Sequence, residues 1–328
     1  MRILIVGAGV VGSFNAARLV EAGEDVTLLA RGERLTDLRE HGVVLEDFRS
    51  GCRTTTRVPL VDRLDPEDLY DLAIVAMRRN QIPTINPVLA RNQRIPSVLF
   101  LGNNASGPQD MIDALGRERV LLGGANVGGA REGPVVRYLW WRRLPLLFGE
   151  LDDRPTPRAA AIVRIFRGAG LSARVVENID AYLKTHAAGL PAFAGAAYRT
   201  GGKVRQLAHA PDALRLFIRA YREALRALGT IGVPLRPSAT RLLEWIPEPI
   251  LAFILRRFFD SQLAEWGAQP HLDAAADEMK ELADEMRDIL TQAGLPSPAS
   301  DALFANVDAR FHAESAGHSP KLAEPMMA

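Results

Sequence analysis

Three glycines near the amino terminus have the spacing of a phosphate-binding turn. Gly7, Gly9 and Gly12 form a GxGxxG pattern between an apolar run, residues 3–6, and a helix-like segment, residues 13–22. In such a turn the first glycine permits a tight bend, the second lets the backbone approach a pyrophosphate, and the third lets the helix pack on the strand. The N–H groups at the start of the helix then hold the phosphates. We therefore predict that one continuous segment binds a dinucleotide: Gly7, Ala8, Gly9, Val10, Val11 and Gly12.

The residues that follow the second apolar strand, residues 25–29, indicate whether the cofactor is NAD or NADP. An acidic residue there binds the ribose hydroxyls of NAD, whereas an arginine accommodates the 2′-phosphate of NADP. Arg31 comes first, and a guanidinium binds phosphate bidentately. Glu33 follows and keeps NAD open as the alternative. An ordinary surface arginine is the plainer interpretation of Arg31, but the pattern favours NADP.

Composition excludes several classes of partner. The 328-residue chain is 48% hydrophobic and 24% charged with a net charge of +1, so no overall field attracts nucleic acid or an anionic membrane. Cys52 is the only cysteine, which excludes an internal disulfide framework and a cysteine metal cluster, and we expect no metal site. No apolar run reaches membrane-spanning length, and the start of the chain does not resemble a secretion signal. These features predict a cytoplasmic protein.

Strand and helix signals alternate in the first half of the chain. Two runs flanking Ser50 and Gly51, residues 42–45 and 55–58, predict a β-hairpin. Unbroken apolar runs predict buried parallel strands. They are residues 72–77, 97–101 and 120–122, followed by late strands near 135–138, 144–148 and 173–176 and a helix over 155–168.

Helical periodicity dominates from residue 178 onward. Candidate helices cover residues 179–199, 211–229, 238–246, 248–265, 271–293 and 299–312. The fold class is therefore an α/β Rossmann-type amino-terminal domain followed by an all-α carboxyl-terminal domain. We expect the first domain to cover residues 1–176, the second 177–314, and a loose tail 315–328.

Several segments resemble the ketopantoate reductase (2-dehydropantoate 2-reductase) family. The strand end over residues 75–81 is similar to the family's valine-lysine-alanine motif, with Arg78 in place of the lysine near the cofactor phosphate. Residues 101–104 resemble its asparagine turn, with Asn103 on the asparagine, and residues 147–150 resemble its late glycine-glutamate strand. The resemblance implies an NADP-dependent oxidoreductase of pantothenate biosynthesis, with Asn103 near both the nicotinamide and the substrate.

Two further residues match the family's catalytic positions. Its catalytic lysine lies early in the first helix of the second domain, where this chain has Lys184 amid Ala, Leu, Phe and Gly. An ammonium held there can stabilise the alkoxide formed by hydride addition and deliver a proton; the plainer alternative is a lysine extending from a core helix to solvent. Counting back from Gly294 and Pro298 places Glu278 on the substrate-binding glutamate, although many neighbouring acids must form a solvated face.

Departures from the family pattern concern the pocket wall. Ala188 and Ala192 replace asparagines on the lysine's face of the helix, and residues 264–267 replace a serine-methionine stretch. These changes suggest a bulkier or less polar carbonyl substrate. His271 is a new ionisable group, either a second acid or a residue at a helix start.

The segment 242–259 is unusually apolar and aromatic, which is typical of core or of a dimer interface, with membrane-surface association as an alternative.

We expect an NADPH-dependent reductase of a 2-keto acid similar to ketopantoate, acting on a small-molecule substrate, with a possible homodimer through the helical domain. Two alternatives stay open. One is a reductase of the same architecture that acts on another carbonyl or an imine. The other is a non-catalytic NADP-binding sensor.

Overall fold

A computed structural model describes residues 1–317 and contains a twisted eight-stranded sheet in its first half. The strand order is β12-β11-β8-β7-β6-β1-β2-β5. These strands are β1 (Arg2–Val6), β2 (Asp25–Leu29), β5 (Leu60–Val61), β6 (Leu72–Val75), β7 (Val98–Leu101), β8 (Val120–Gly124), β11 (Leu146–Glu150) and β12 (Ala173–Val175). Only the β8–β11 pairing is antiparallel. The predicted parallel strands are confirmed, because each apolar run is covered on both faces.

Helices on both faces of the sheet supply the cover. They are α1 (Val10–Glu21), α2 (Gly32–His41), α3 (Ile82–Arg91), α4 (Gln109–Leu115) and α5 (Pro157–Gly168). The chain runs from β1 outward to β2 and β5 and then returns to β6 on the other side of β1. The direction of winding therefore reverses between β1 and β6, and ligands of open α/β sheets bind at such a point, beyond the carboxyl ends of the strands.

A second, four-stranded sheet contains the predicted hairpin. Its order is β4-β3-β10-β9, with β3 (Val43–Asp47), β4 (Arg53–Thr56), β9 (Val127–Glu132) and β10 (Val135–Trp140). The antiparallel β3–β4 hairpin is confirmed, but the sequence did not indicate that β10 would pair in parallel with β3. Strand β9 was not predicted. The sheet packs on α1, where Phe14 lies 5.0 Å from Tyr138 and 5.6 Å from Trp140 between ring centroids.

The second half is helical from residue 179 onward within the described chain. Its helices are α6 (Ile179–Ala187), α7 (Leu190–Arg199), α8 (Val204–Ala208), α9 (Pro211–Thr230), α10 (Glu248–Phe259), α11 (Gln262–Ala274), α12 (Ala276–Ala293) and α13 (Pro298–Gly317), with a 3₁₀ segment over Ser238–Glu244. Its core is rich in alanine, including Ala194, Ala220 and Ala283, so the helices approach closely.

Three helix boundaries differ from the predictions. The single helix expected over 179–199 is divided near Gly189, because Pro191 begins a new helix rather than continuing the old one. The expected helix 248–265 ends at Phe259. Pro270, expected at a helix start, instead lies inside α11.

The boundary predicted at residue 176 lies between the end of β12 and the start of α6. Most of the tail expected from residue 315 lies outside the described residues, and its first three residues continue α13. Among residues 1–317, no helix is both long enough and apolar enough to cross a membrane.

Candidate active site

The glycine turn shows a steric reason for two of its three glycines, Gly7 and Gly12. Gly7 has a φ of +103°, and a Cβ there would lie 2.6 Å from the Ala76 carbonyl oxygen. A Cβ on Gly12 would lie 1.8 Å from the Gly7 carbonyl oxygen. A Cβ on Gly9 would meet no protein atom within 4 Å. The turn is therefore packed tightly against β6 and α1, and Gly9 leaves open space in front of it.

The amino terminus of α1 faces that space without a competing side chain. Gly9 is its N-cap residue, no side chain caps the helix, and its first turn contains no acidic residue. The first N–H groups of a helix have no partner within the helix, and the helix dipole favours an anion there. An uncapped helix start of this kind fits the pyrophosphate of a dinucleotide, and binding there stays a prediction.

Arg31 lies beyond the end of β2, as the N-cap residue of α2. It is exposed and, within residues 1–317, its side chain makes no hydrogen bond or ion pair. Glu33 lies in the first turn of α2 and is also exposed. Both side chains can therefore reach a ligand, and the choice between a 2′-phosphate and ribose hydroxyls stays a prediction.

Arg34 is a residue of this region that the sequence reasoning missed. Its guanidinium donates to the Ala8 carbonyl at 3.1 Å, to Ser13 Oγ at 3.2 Å and to the Pro134 carbonyl at 3.2 Å. Burial, with a smaller contribution from the nearby Arg131 guanidinium, lowers the pKa of Arg34 to about 10. Arg34 thus connects the glycine turn to the second sheet, a contact for which the sequence contains no local signal.

Arg78, predicted to bind the cofactor phosphate, points toward the helical domain. Its Nη1 lies 2.8 Å from Asp277 Oδ1, and Asn80 Nδ2 donates to the other oxygen of Asp277 at 2.9 Å. The side chain is 35% exposed, so it remains accessible at the cleft. A role in cofactor binding would require Arg78 to share or leave this ion pair.

Asn103 and Glu278 meet across the interface between the two domains. Asn103 Nδ2 donates to Glu278 Oε1 at 3.2 Å, and the backbone N–H of Arg79 approaches the same oxygen at 3.4 Å. Glu278 is only 3% exposed. The other carboxylate oxygen lies 3.3 Å from His271 Nε2, an ion-pair distance whose angles do not make a hydrogen bond. The structure therefore brings together two predicted site residues that lie far apart in the chain.

Lys184 lies beside Gly107, in the loop over residues 102–107 that also contains Asn103. Asn104 and Gly107 exchange two hydrogen bonds, of 3.0 and 2.7 Å, and a Cβ on Gly107 would lie 3.0 Å from Lys184 Nζ. Lys184 Nζ donates to Asp180 Oδ2 at 2.6 Å and its side chain is 16% exposed. The ammonium is therefore partly withdrawn from water and held by a carboxylate one helical turn earlier, a partner that the sequence analysis did not name.

A small apolar cavity lies against the start of the loop over residues 102–107. Its lining includes Met77 at the end of β6, Asn103 after β7, and Leu183, the neighbour of Lys184. The loop over residues 102–107 thus connects Glu278, Lys184 and the sheet edge at which the glycine turn lies.

Two histidines line the cleft, and one of them was missed. Part of the His186 side chain is in contact with solvent, but protein atoms surround it, as expected in a cleft. Burial, together with the nearby His271, lowers the pKa of His186. His271 lies in the last turn of α11, so the expectation that it begins a helix was wrong. The open alternative, an acid close to the substrate, agrees with its position beside Glu278.

Ala188 and Ala192 do not form an open pocket wall. They are 0% and 1% exposed and belong to the core of the helical domain. Ala188 stays one helical turn from Lys184, because its N–H donates to the Lys184 carbonyl at 2.9 Å. The break near Gly189 comes between Ala188 and Ala192, so only Ala192 belongs to a different helix.

The fold and the site together define a class: a Rossmann-type domain joined to a helical domain, with a glycine turn and a polar cluster at the interdomain cleft. Residues 3–151 match the family described as Ketopantoate reductase PanE/ApbA. Over these residues, the resemblance to the ketopantoate reductase family that the sequence predicts is confirmed.

Individual relatives agree with this assignment. The chain is 28% identical over 188 residues to a 2-dehydropantoate 2-reductase of Pyrococcus abyssi, a match covering 56% of this chain and 59% of that protein. A ketopantoate reductase structure from Ralstonia eutropha superposes with a TM-score of 0.76 at 20% identity, covering 97% of this chain and 100% of the other. D-mandelate dehydrogenase with NADH and anilino(oxo)acetate has a TM-score of 0.78 at 18% identity, covering 96% of this chain and 99% of the other. The structural likenesses establish the two-domain fold.

Proposed function

We propose that this protein is an NADPH-dependent reductase of a 2-keto acid or a related carbonyl compound. The observation that carries the proposal is the loop over residues 102–107, which contacts Glu278 through Asn103 and approaches Lys184 at Gly107. The loop follows β7, two strands from β1 on the edge of the sheet where the glycine turn lies. A carbonyl compound bound there would meet an amide, a carboxyl group and an ammonium next to the dinucleotide site.

The chain's own side chains would divide the chemistry as follows. Bound NADPH supplies a hydride to the carbonyl carbon. Lys184, held by Asp180, stabilises the negative charge that develops on the carbonyl oxygen and donates a proton to it. Asn103 and Glu278 orient the substrate through hydrogen bonds. The amine left on Lys184 takes up a proton from solvent, so each turnover yields one alcohol and one NADP⁺.

The substrate class rests on the family and on one structural neighbour. Curated relatives that match this chain are 2-dehydropantoate 2-reductases, and a structural neighbour is D-mandelate dehydrogenase. Because the matches to the curated relatives span less than two thirds of their length, a 2-keto acid other than ketopantoate, another carbonyl or an imine is the second candidate. A non-catalytic sensor would bind NADPH and oxidise it with no compound.

The direct test is NADPH oxidation with ketopantoate and with a panel of other 2-keto acids, ketones and imines. Turnover of ketopantoate would support the first candidate. Turnover of another compound alone would assign the second. Tight NADPH binding without turnover of any compound would contradict a catalytic role and leave the sensor.

Arg31 carries a separate prediction about the cofactor. We expect Arg31→Ala to weaken NADPH binding by roughly 10- to 100-fold, because a charge-assisted phosphate contact is lost, and to leave NADH binding unchanged. Fluorescence titration with both cofactors measures the ratio. Glu33→Gln is the matched variant. If NADH binds better than NADPH and Glu33→Gln weakens it, the cofactor is NAD, which is the cofactor seen in the D-mandelate dehydrogenase neighbour.

A further inference from the structure

The apolar segment 242–259 contributes to the core on one side only, and its other side faces solvent. Helix α10 has an inner face, on which Leu251 and Phe259 are buried and Phe259 stacks on Phe193 at 5.2 Å between ring centroids. On the outer side, large apolar side chains recur at a spacing of three or four residues, as on one face of a helix. They are Ile250, Phe253, Ile254 and Phe258, preceded by the exposed Leu242 and Trp245. We call these six side chains the outer face.

The area of the outer face matches what a stable dimer requires. Its six side chains are between 47% and 83% exposed. At about 200 Å² for a fully exposed large apolar side chain, they leave on the order of 700 Å² of apolar surface in water. A standard specific interface buries about 800 Å² on each partner, whereas the largest patch on a monomer is usually about 300–600 Å².

The charges of α10 favour a second copy as the occupant. The helix has Glu248 in its first turn and Arg256 and Arg257 in its last. Within residues 1–317, these two arginines make no ion pair. A two-fold axis perpendicular to α10 would place two α10 helices antiparallel. The arginines of one copy would then lie near Glu248 of the other, which already accepts hydrogen bonds from Arg219 at 2.9 and 3.1 Å. We propose that the outer face is the interface of a homodimer.

Sedimentation velocity on the full chain tests this proposal. We expect wild type to sediment as a dimer, and Phe253→Glu to raise the dimer dissociation constant roughly 100-fold or more, because the symmetry buries each new charge twice. Trp245→Glu should act in the same direction. Leu144→Glu is the matched control, since Leu144 is 57% exposed but lies outside the outer face.

Each remaining outcome overturns the proposal. A wild type that stays monomeric at all concentrations contradicts it, and so does a dimer that survives both Phe253→Glu and Trp245→Glu. Binding of the monomer to phosphatidylglycerol vesicles, abolished by Phe253→Glu, would assign the face to a membrane. Dimerisation only after residues 318–328 are removed would assign it to that segment of the same chain.

A second, independent inference concerns a buried ionic cluster between the domains. The Arg79 guanidinium donates to Glu285 Oε1 at 2.6 Å, to Asp110 Oδ2 at 2.7 Å and to Ser106 Oγ at 2.9 Å. Arg79 and Glu285 are 8% and 7% exposed. Glu285 Oε2 also accepts the backbone N–H groups of Ala105 and Ser106, at 2.9 and 3.2 Å. The cluster therefore fixes helix α12 to the loop over residues 102–107.

The cluster lies two helical turns from a predicted substrate residue. Glu278 and Glu285 are seven residues apart on one face of α12, and both contact Arg79, one through its backbone and one through its side chain. Glu285 accepts hydrogen bonds from the backbone N–H groups of Ala105 and Ser106, which follow Asn103 by two and three residues. We infer that Arg79 and Glu285 are positioning residues that set the distance between Asn103 and Glu278, an inference that rests on the proposed function.

Steady-state kinetics separates positioning from general stability. We expect Glu285→Gln to lower kcat and raise KM for the carbonyl substrate, reducing kcat/KM about 10- to 100-fold, because the substrate contacts move apart. The dissociation constant of NADPH should stay within about twofold of wild type. Arg79→Lys should retain more activity than Arg79→Met. Glu67→Gln, which breaks the exposed Arg94–Glu67 pair in the α/β domain, is the control.

Loss of folded enzyme alone would leave KM unchanged and would contradict the inference. If wild type turns over no compound, the proposed function fails, and the cluster is then judged by hydrogen exchange. Glu285→Ala must accelerate hydrogen exchange at the Ala105 and Ser106 amides, because both donate hydrogen bonds to the Glu285 carboxylate. Unchanged exchange at both amides would overturn the positioning role, whatever the activity.

Discussion

Lys184→Ala is expected to lower kcat for carbonyl reduction by roughly 100- to 10,000-fold, the contribution typical of general acid catalysis. The reason is local: Lys184 Nζ is the cationic group beside Gly107, in the loop that also contains Asn103. Binding of NADPH should change little, because the glycine turn lies on other elements. Stopped-flow measurement of a single turnover, together with a cofactor titration, separates the two effects.

Lys280→Ala is the matched control for this experiment. Lys280 pairs with Asp284 at the same spacing of four residues that joins Lys184 to Asp180, but it makes no contact with the loop. We expect it to keep wild-type turnover. Equal activity in Lys184→Ala and Lys280→Ala would exclude Lys184 as the proton donor. An intermediate loss in Asp180→Asn would show that the carboxylate helps to orient the ammonium.

Gly9→Ala and Gly12→Ala are expected to fail in different ways. A Cβ at Gly12 would overlap the Gly7 carbonyl oxygen, so Gly12→Ala should destabilise the protein by about 3 kcal/mol and abolish cofactor binding with it. A Cβ at Gly9 meets no protein atom, and the backbone there is extended. Gly9→Ala should therefore keep the wild-type melting temperature and weaken NADPH binding about 100-fold, because the methyl group would occupy the pyrophosphate position.

Thermal unfolding and a fluorescence titration, run on both variants, give the comparison. Gly168→Ala is a control, since a Cβ there also meets no atom within 4 Å but Gly168 lies at the end of α5, in the α/β domain but outside the turn. Wild-type affinity in Gly9→Ala would show that the dinucleotide does not approach this turn. A fully stable Gly12→Ala would show that helix α1 can move away from β1.

Local rules were sufficient for the strands and for the turn. The apolar runs that form β1, β6 and β7 are too continuous for a half-exposed strand, and each is buried on both faces. The glycine pattern carries its own steric explanation, because the spacing of Gly7 and Gly12 encodes their close contact. Helix ends were less predictable, since one proline, Pro191, begins a new helix whereas another, Pro270, lies inside one.

Long-range pairing could not be predicted. Arg34 was not recognised at the glycine turn, because the carbonyl of Pro134 that it reaches lies 100 positions later. The second sheet is similar: the hairpin of β3 and β4 was evident, but its parallel partner β10 comes from a distant segment. Such contacts join segments that are distant in sequence, so no local pattern indicates them.

By itself, the sequence determined the class of the protein: a phosphate-binding turn, a parallel sheet, a helical second half and a lysine at its start. Only the tertiary structure showed which acidic residues of the helical domain are buried at the interface between the domains. Helix α12 is rich in carboxylates that look alike in sequence. Packing buries Glu278 and Glu285 at 3% and 7% exposure, whereas the other acids of the helix are half-buried or exposed. The physical reason is that a buried carboxylate requires partners, and Asn103, Arg79 and Ser106 reach it only once the two domains have met.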